Sequence, residues 1–67
     1  METTSLKAIK KGDYFKTINS KLIPSKTIYV KGDYIPTLKK YEIFKFNDIN
    51  DLSYLQGNKT VTTDFIF

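Results

Sequence analysis

Lys39-Lys40-Tyr41-Glu42-Ile43-Phe44-Lys45-Phe46 is the stretch that decides the fold class. Read with the two-residue period of a strand, Glu42, Phe44 and Phe46 share one side, and Tyr41, Ile43 and Lys45 share the other. Large apolar groups stand on both sides, the pattern of a strand inside a sheet rather than at its border. The reading assigns Phe44 and Phe46 to the core and turns Tyr41 and Lys45 outward.

Upstream, Lys26 to Lys31 reads as a strand with Ile28 and Val30 inward and Tyr29 and Lys31 outward, ended by a break at Gly32-Asp33. A strand at about 13–18 places Phe15 inward and Tyr14 and Lys16 outward. Leu6 and Ile9, three apart and stopped by Gly12-Asp13, read as one turn of helix or 3₁₀. Asn19 to Ser25 carries turn chemistry and a proline, so it reads as a loop. Downstream, Asp48 is read as the cap of a short helical turn carrying Leu52 and Leu55 and ended by Gly57, with a bulged strand around Tyr54-Leu55 as the competing reading. Thr60 to Phe67 alternates as a last strand, and Asn58-Lys59-Thr60 reads as a tight turn rather than a glycosylated site. The expected core is Leu6, Ile9, Phe15, Ile28, Val30, Phe44, Phe46, Leu52, Leu55, Val61, Phe65 and Phe67.

Composition agrees with the strand pattern. Val, Ile, Thr, Tyr and Phe supply 28 of the 67 residues, whereas Ala and Gln occur once each. The expectation is an all-β fold: a small SH3-like or OB-like barrel of four to five short strands with one short helical turn. It forms one domain over 1–67, with 1–5 a loose lead-in. Cysteine and histidine are both absent, which removes disulfides, structural zinc, and thiol or imidazole chemistry. No apolar run approaches the roughly 18 residues of a membrane span, and the N-terminus lacks the pattern of a secretory signal. The chain is therefore expected in the cytoplasm, without a membrane partner.

The order Leu6-x-x-Ile9-x-x-Gly12-Asp13-Tyr14-Phe15, Ile28-Tyr29-Val30-Lys31-Gly32-Asp33-Tyr34, Lys39-Lys40-Tyr41, Phe46-Asn47-Asp48-Ile49-Asn50 and Gly57-Asn58-Lys59-x-Val61-x-Thr63-Asp64-Phe65-x-Phe67 spans more than nine-tenths of the chain. It resembles small β-rich proteins encoded by tailed bacteriophages of gut Bacteroides, the crAss-like group among them. The sequence departs from that pattern at Asn19 to Ser25, longer and more apolar here, and at Lys31, where similar sequences often carry Arg. The resemblance implies a phage setting, hence the host cytoplasm or the virion, and a small β fold. It implies no activity.

The chemistry-bearing residues point to binding. Four of the seven acids (Asp13, Asp33, Asp48 and Asp51) lie in or beside turn-like segments, where aspartate ordinarily bonds backbone N–H groups, and no carboxylate pair marks a cleft. No enzyme activity, cofactor or metal is expected. Asp48-x-Asn50 opens like a calcium loop, but Leu52, Ser53 and Lys59 occupy positions that need a ligand, a glycine and a glutamate. All 11 basic residues are lysine and the net charge is +4, so attraction to a phosphate backbone is available but arginine readout of base edges is not. With the strand faces assigned above, Tyr14, Lys16, Tyr29, Lys31, Tyr41 and Lys45 share the outer face of three successive strands. Stacking rings interleaved with ammonium groups suit sequence-tolerant binding of single-stranded nucleic acid, although the same residues are ordinary on any solvated sheet face. The alternative is a protein–protein adaptor or assembly component, virion-associated or a host-directed inhibitor, with Ile35, Ile43 and Ile66 on its contact face. A homo-oligomer built through the last strand belongs to that alternative.

Overall fold

The computed structural model describes residues 2–65, with Ile49 through its backbone only. The fold is mostly β: six antiparallel strands in one open sheet and a single 3₁₀ turn. In chain order the elements are β1 (Thr4–Ser5), the 3₁₀ turn (Leu6–Ala8), β2 (Tyr14–Thr17), β3 (Tyr29–Ile35), β4 (Lys40–Lys45), β5 (Asp48–Leu55) and β6 (Thr60–Thr62). Their order across the sheet is β1-β6-β2-β3-β4-β5. β4 lies inside the sheet, as its two apolar sides require. β6 is also internal, held between β1 and β2.

One cluster forms the core: Leu6 from the 3₁₀ turn, Phe15 from β2, Ile43 from β4 and Val61 from β6, all buried. β6 and β4 stand three strands apart, about 14 Å in a flat sheet. Their side chains join one cluster because the sheet curls, with the 3₁₀ turn seated in the hollow. Ile9, Tyr29, Tyr41 and Leu55 pack around this cluster.

Several expectations are corrected. Gly32-Asp33 does not end β3; it sits at a register shift between Lys31 and Tyr34, and the strand runs on to Ile35. A β-carbon at Gly32 would lie 2.8 Å from the Phe44 ring, so glycine is what lets that ring cover the strand. The helical turn expected at 48–55 is the strand β5. Asp48 does act as a turn former, accepting the Asn50 N–H at 3.2 Å. The last strand covers only Thr60–Thr62; Ile66 and Phe67 lie outside the described residues. Thr4 and Ser5 are no loose lead-in, because they pair with Val61 and Thr60 as β1. The buried Thr62 hydroxyl donates to the Glu2 carbonyl at 2.7 Å and secures that segment further. Lys-Gly-Asp-Tyr occurs at 11–14 and again at 31–34, and the two stretches lie against each other: Gly12 N–H donates to Lys31 O, Lys31 N–H donates to Asp13 O, and Lys11 pairs with Asp33 at 2.8 Å.

The largest correction concerns which way β3 and β4 face. Phe15 points inward as expected, and its register partner on β3 is Tyr29, not Val30. Tyr29 therefore joins the core side, its ring stacked on Phe15 with centroids 5.7 Å apart. Lys31 and Ile43 follow on that side, and Val30, Phe44 and Leu52 turn to the other. Phe46 is about half exposed. Hydropathy could not decide this, since both faces of β3 and β4 carry large apolar groups; the pairing with Phe15 decides it.

Candidate nucleic-acid interface

The six residues expected to form one Tyr/Lys face do not do so. Tyr14 lies on the outer side, edge-on to Phe46 with centroids 5.4 Å apart. Lys16 sits over the Phe65 ring, 5.1 Å from its centroid. Tyr29 is inward against Phe15. Lys45 faces the core side at the far end of β4 and is ion-paired with Asp51 at 2.8 Å, which raises its pKa through the hydrogen bond and the carboxylate charge. Lys31 is buried, with its ammonium 4.3 Å from the centre of the Tyr41 ring and donating to the Ile9 carbonyl. Burial pushes its pKa below the ordinary lysine value, and nearby Asp13 opposes that shift. Of the six, Lys31 and Tyr41 meet at the core side, where Lys31 acts as a support beneath the ring, and Tyr29 and Lys45 are opposite partners farther along β3 and β4.

That contact borders a cleft of about 450 Å³ lined by Lys7, Tyr34, Lys39, Tyr41, Gln56, Gly57 and Asn58. Three segments build it. The β3–β4 hairpin brings Tyr34 opposite Tyr41 by register, with ring centroids 5.0 Å apart and planes inclined at 60°. The hairpin turn is closed by Leu38 N–H to Ile35 O at 3.1 Å and Lys39 N–H to Pro36 O at 3.3 Å. It leaves Lys39 at φ 54°, a left-handed conformation that costs a β-carbon-bearing residue about 1–2 kcal/mol. The 3₁₀ turn supplies Lys7, whose N–H donates to Gly57 O at 2.9 Å. The turn between β5 and β6, closed by Lys59 N–H to Gln56 O, supplies Gln56, Gly57 and Asn58.

Gly57 sets how close these parts come. A β-carbon there would lie 2.8 Å from Tyr41 Cε2 and 3.2 Å from Lys7 Cβ, so only glycine lets the turn close on the ring. Tyr34 is about half exposed, and Lys7 and Lys39 are exposed. The lining holds two lysines, two tyrosines and no carboxylate. A planar group can lie on Tyr34 while a phosphate meets either ammonium.

Tyr34, Lys7 and Lys39 were absent from the sequence-derived site. The signal that could have placed Tyr34 is its position seven residues before Tyr41 across Pro36-Thr37, a spacing that makes the two opposite partners once the hairpin forms. Compared with protein-family models, curated proteins and solved structures, the chain matches none of them. Among the described residues, no helix is long and apolar enough to cross a membrane.

Proposed function

We propose that this chain is a non-enzymatic, phage-type binding module that holds single-stranded nucleic acid in the Tyr34–Tyr41 cleft. The observation that carries the reading is the cleft lining, which brings two tyrosines and two lysines together with no carboxylate among them. A base stacks on the exposed ring of Tyr34, and the flanking phosphates meet Lys7 and Lys39. Tyr41 backs Tyr34 and is itself held by Lys31. Every base offers a π-face and the chain has no arginine to read base edges, so the preference is for single strands of any sequence.

The test is fluorescence anisotropy with a labelled single-stranded oligonucleotide and its duplex as competitor. Two phosphate contacts predict a log–log salt slope near −1.4, at ~0.7 per contact. Tyr34→Ala should weaken binding by about 1–3 kcal/mol. Lys39→Gly should lower the salt slope by about 0.7 while relieving the strained turn. Tyr14→Ala, on the other side of the sheet, should change nothing. No binding at low salt, or a parent matched by Tyr34→Ala, would leave the second reading, a protein partner on the outer face. That reading is favoured by the row Tyr14, Val30, Phe44 and Leu52, register partners across four strands whose two ends are each about two-fifths exposed.

A further inference from the structure

We propose that the single strand held at Tyr34 continues over the β5–β6 turn into a second cleft, where Leu22 supports a further base and Lys59 meets a phosphate. This subsite rests on the Tyr34–Tyr41 cleft being a nucleic-acid site, and it lengthens the path. The second cleft has a volume of about 430 Å³. Gln56 and Asn58 line it and also line the first, so the β5–β6 turn is a wall common to both. Lys59 comes from the same turn, and Ile18, Asn19 and Leu22 come from the end of β2 and the loop after it. Register explains the meeting: Thr17 pairs with Val61, which sets Ile18 beside Thr60 and starts the loop next to the turn.

The loop is tied into one shape. Ile18 bridges Pro24, and Asn19 N–H donates to Ile23 O at 3.2 Å. The Asn19 side chain accepts the N–H groups of Lys21 and Ile23 at 2.9 and 3.0 Å, and Leu22 N–H donates to Asn19 O at 3.0 Å. Leu22 takes φ 60°, a left-handed conformation that a bulky side chain disfavours. Its side chain is 62% exposed, the highest value among the large apolar residues described. An apolar group thus stands in water on a backbone that glycine or asparagine would suit better, and it lies outside the core. A ligand covering Leu22 in the cleft it lines offsets both costs.

Charge identifies the ligand. Across the two linings stand Lys7, Lys39 and Lys59, and no carboxylate. The carboxamides of Gln56 and Asn58 lie at the crossing, and such groups donate to phosphate oxygens without reading sequence. A strand that carries a phosphate at every step and a flat face on every base fits this alternation of ammonium, amide and apolar support.

Fluorescence anisotropy with a labelled oligothymidylate of about twelve nucleotides tests the path. At about 3.4 Å per nucleotide it extends over about 40 Å, more than the 32 Å longest dimension of the chain, so it can occupy both clefts at once. Three phosphate contacts in place of two predict a log–log salt slope of about −2.1, at ~0.7 per contact, and Lys59→Gln should return it to about −1.4. Leu22→Gly should weaken binding about fivefold and keep the circular dichroism of the parent, since glycine accepts the left-handed backbone. Ile23→Ser should bind like the parent, because Ile23 is exposed but does not line the second cleft. Loss of affinity in Tyr34→Ala with Leu22→Gly and Lys59→Gln matching the parent would overturn the subsite and leave the first cleft standing. No binding by the parent, or a Tyr34→Ala protein equal to it, would overturn both. Equal losses from Leu22→Gly and Ile23→Ser would also overturn the subsite. If a variant unfolds, amide shifts of the parent decide: residues 19–22 should move on titration together with Tyr34, and shifts confined to the Tyr34 cleft would overturn the subsite.

Discussion

Replacing Lys31 by Met removes the one buried lysine among the described residues while keeping most of its aliphatic stem. At neutral pH the change subtracts a desolvated cation–π contact, about 2 kcal/mol, and a charged hydrogen bond to Ile9 O, about 1.5–3 kcal/mol. It also removes the cost of burying the ammonium, so the net stability change is a small residue of opposed effects. The pH dependence separates them. Burial pushes the Lys31 pKa below the ordinary 10.5, so between the folded value and 10.5 the unfolded chain carries a proton that the folded chain has released. Stability must then rise with pH through that interval, by at most about 1.4 kcal/mol per pH unit for one proton. Lys11 and Lys45 behave in the opposite sense. Their hydrogen bonds to Asp33 and Asp51, and the charges of those carboxylates, hold their pKa values above 10.5. Their contribution is complete below 10.5 and is lost as pH climbs through the raised values. Urea unfolding from neutral pH to beyond 10.5 should therefore show a maximum near that value in the parent. The Lys31→Met protein should show the fall without the rise. Parallel pH profiles for the two proteins would refute a desolvated Lys31.

Gly57→Ala should cost about 1–3 kcal/mol, because its β-carbon has to displace the Tyr41 ring 2.8 Å away; urea midpoints check the stability, and oligonucleotide anisotropy should fall with it. Phe15→Ala should cost about 3–5 kcal/mol and unfold much of the chain at room temperature, whereas Phe46→Ala, with its ring half exposed, should cost about 1 kcal/mol, read from thermal melts of both. Equal losses at the two positions would return β4 to the facing read from hydropathy alone.

Much of the fold is legible in the sequence because its punctuation is strong. Gly12 takes a left-handed φ of 91° at the break before β2, and Asn19 accepts the Lys21 and Ile23 N–H groups in the loop that follows. Leu6, Phe15 and Val61 reach the core as their positions demand. The Asp48–Leu55 stretch misleads because its cap-like aspartate and its leucines three apart fit a helical turn. Nothing local in that stretch reports that Tyr41 to Lys45 of β4 offer it an open edge to pair with. Pairing outweighs the local preference.

The site was harder to read because a strand pattern says which residues share a face, not which face is covered. Turning β3 and β4 over sends Tyr29, Lys31 and Tyr41 inward together and exchanges a solvated Tyr/Lys face for an apolar row. A lysine is tolerated inside only because its ammonium finds a carbonyl and a ring at once, Ile9 O and Tyr41. Those two contacts tie the chain just after the 3₁₀ turn to β3 and β4, which helps bring Lys7 and Lys39 to one cleft. The buried lysine thus shapes the cleft from beneath: it holds the ring against which Tyr34 rests. A Tyr/Lys pairing is common to the expected face and the observed cleft, but the chemistry has moved from the middle of the strands to the end of the β3–β4 hairpin. There the two turns and Gly57 let side chains from three segments converge, which no single strand can do.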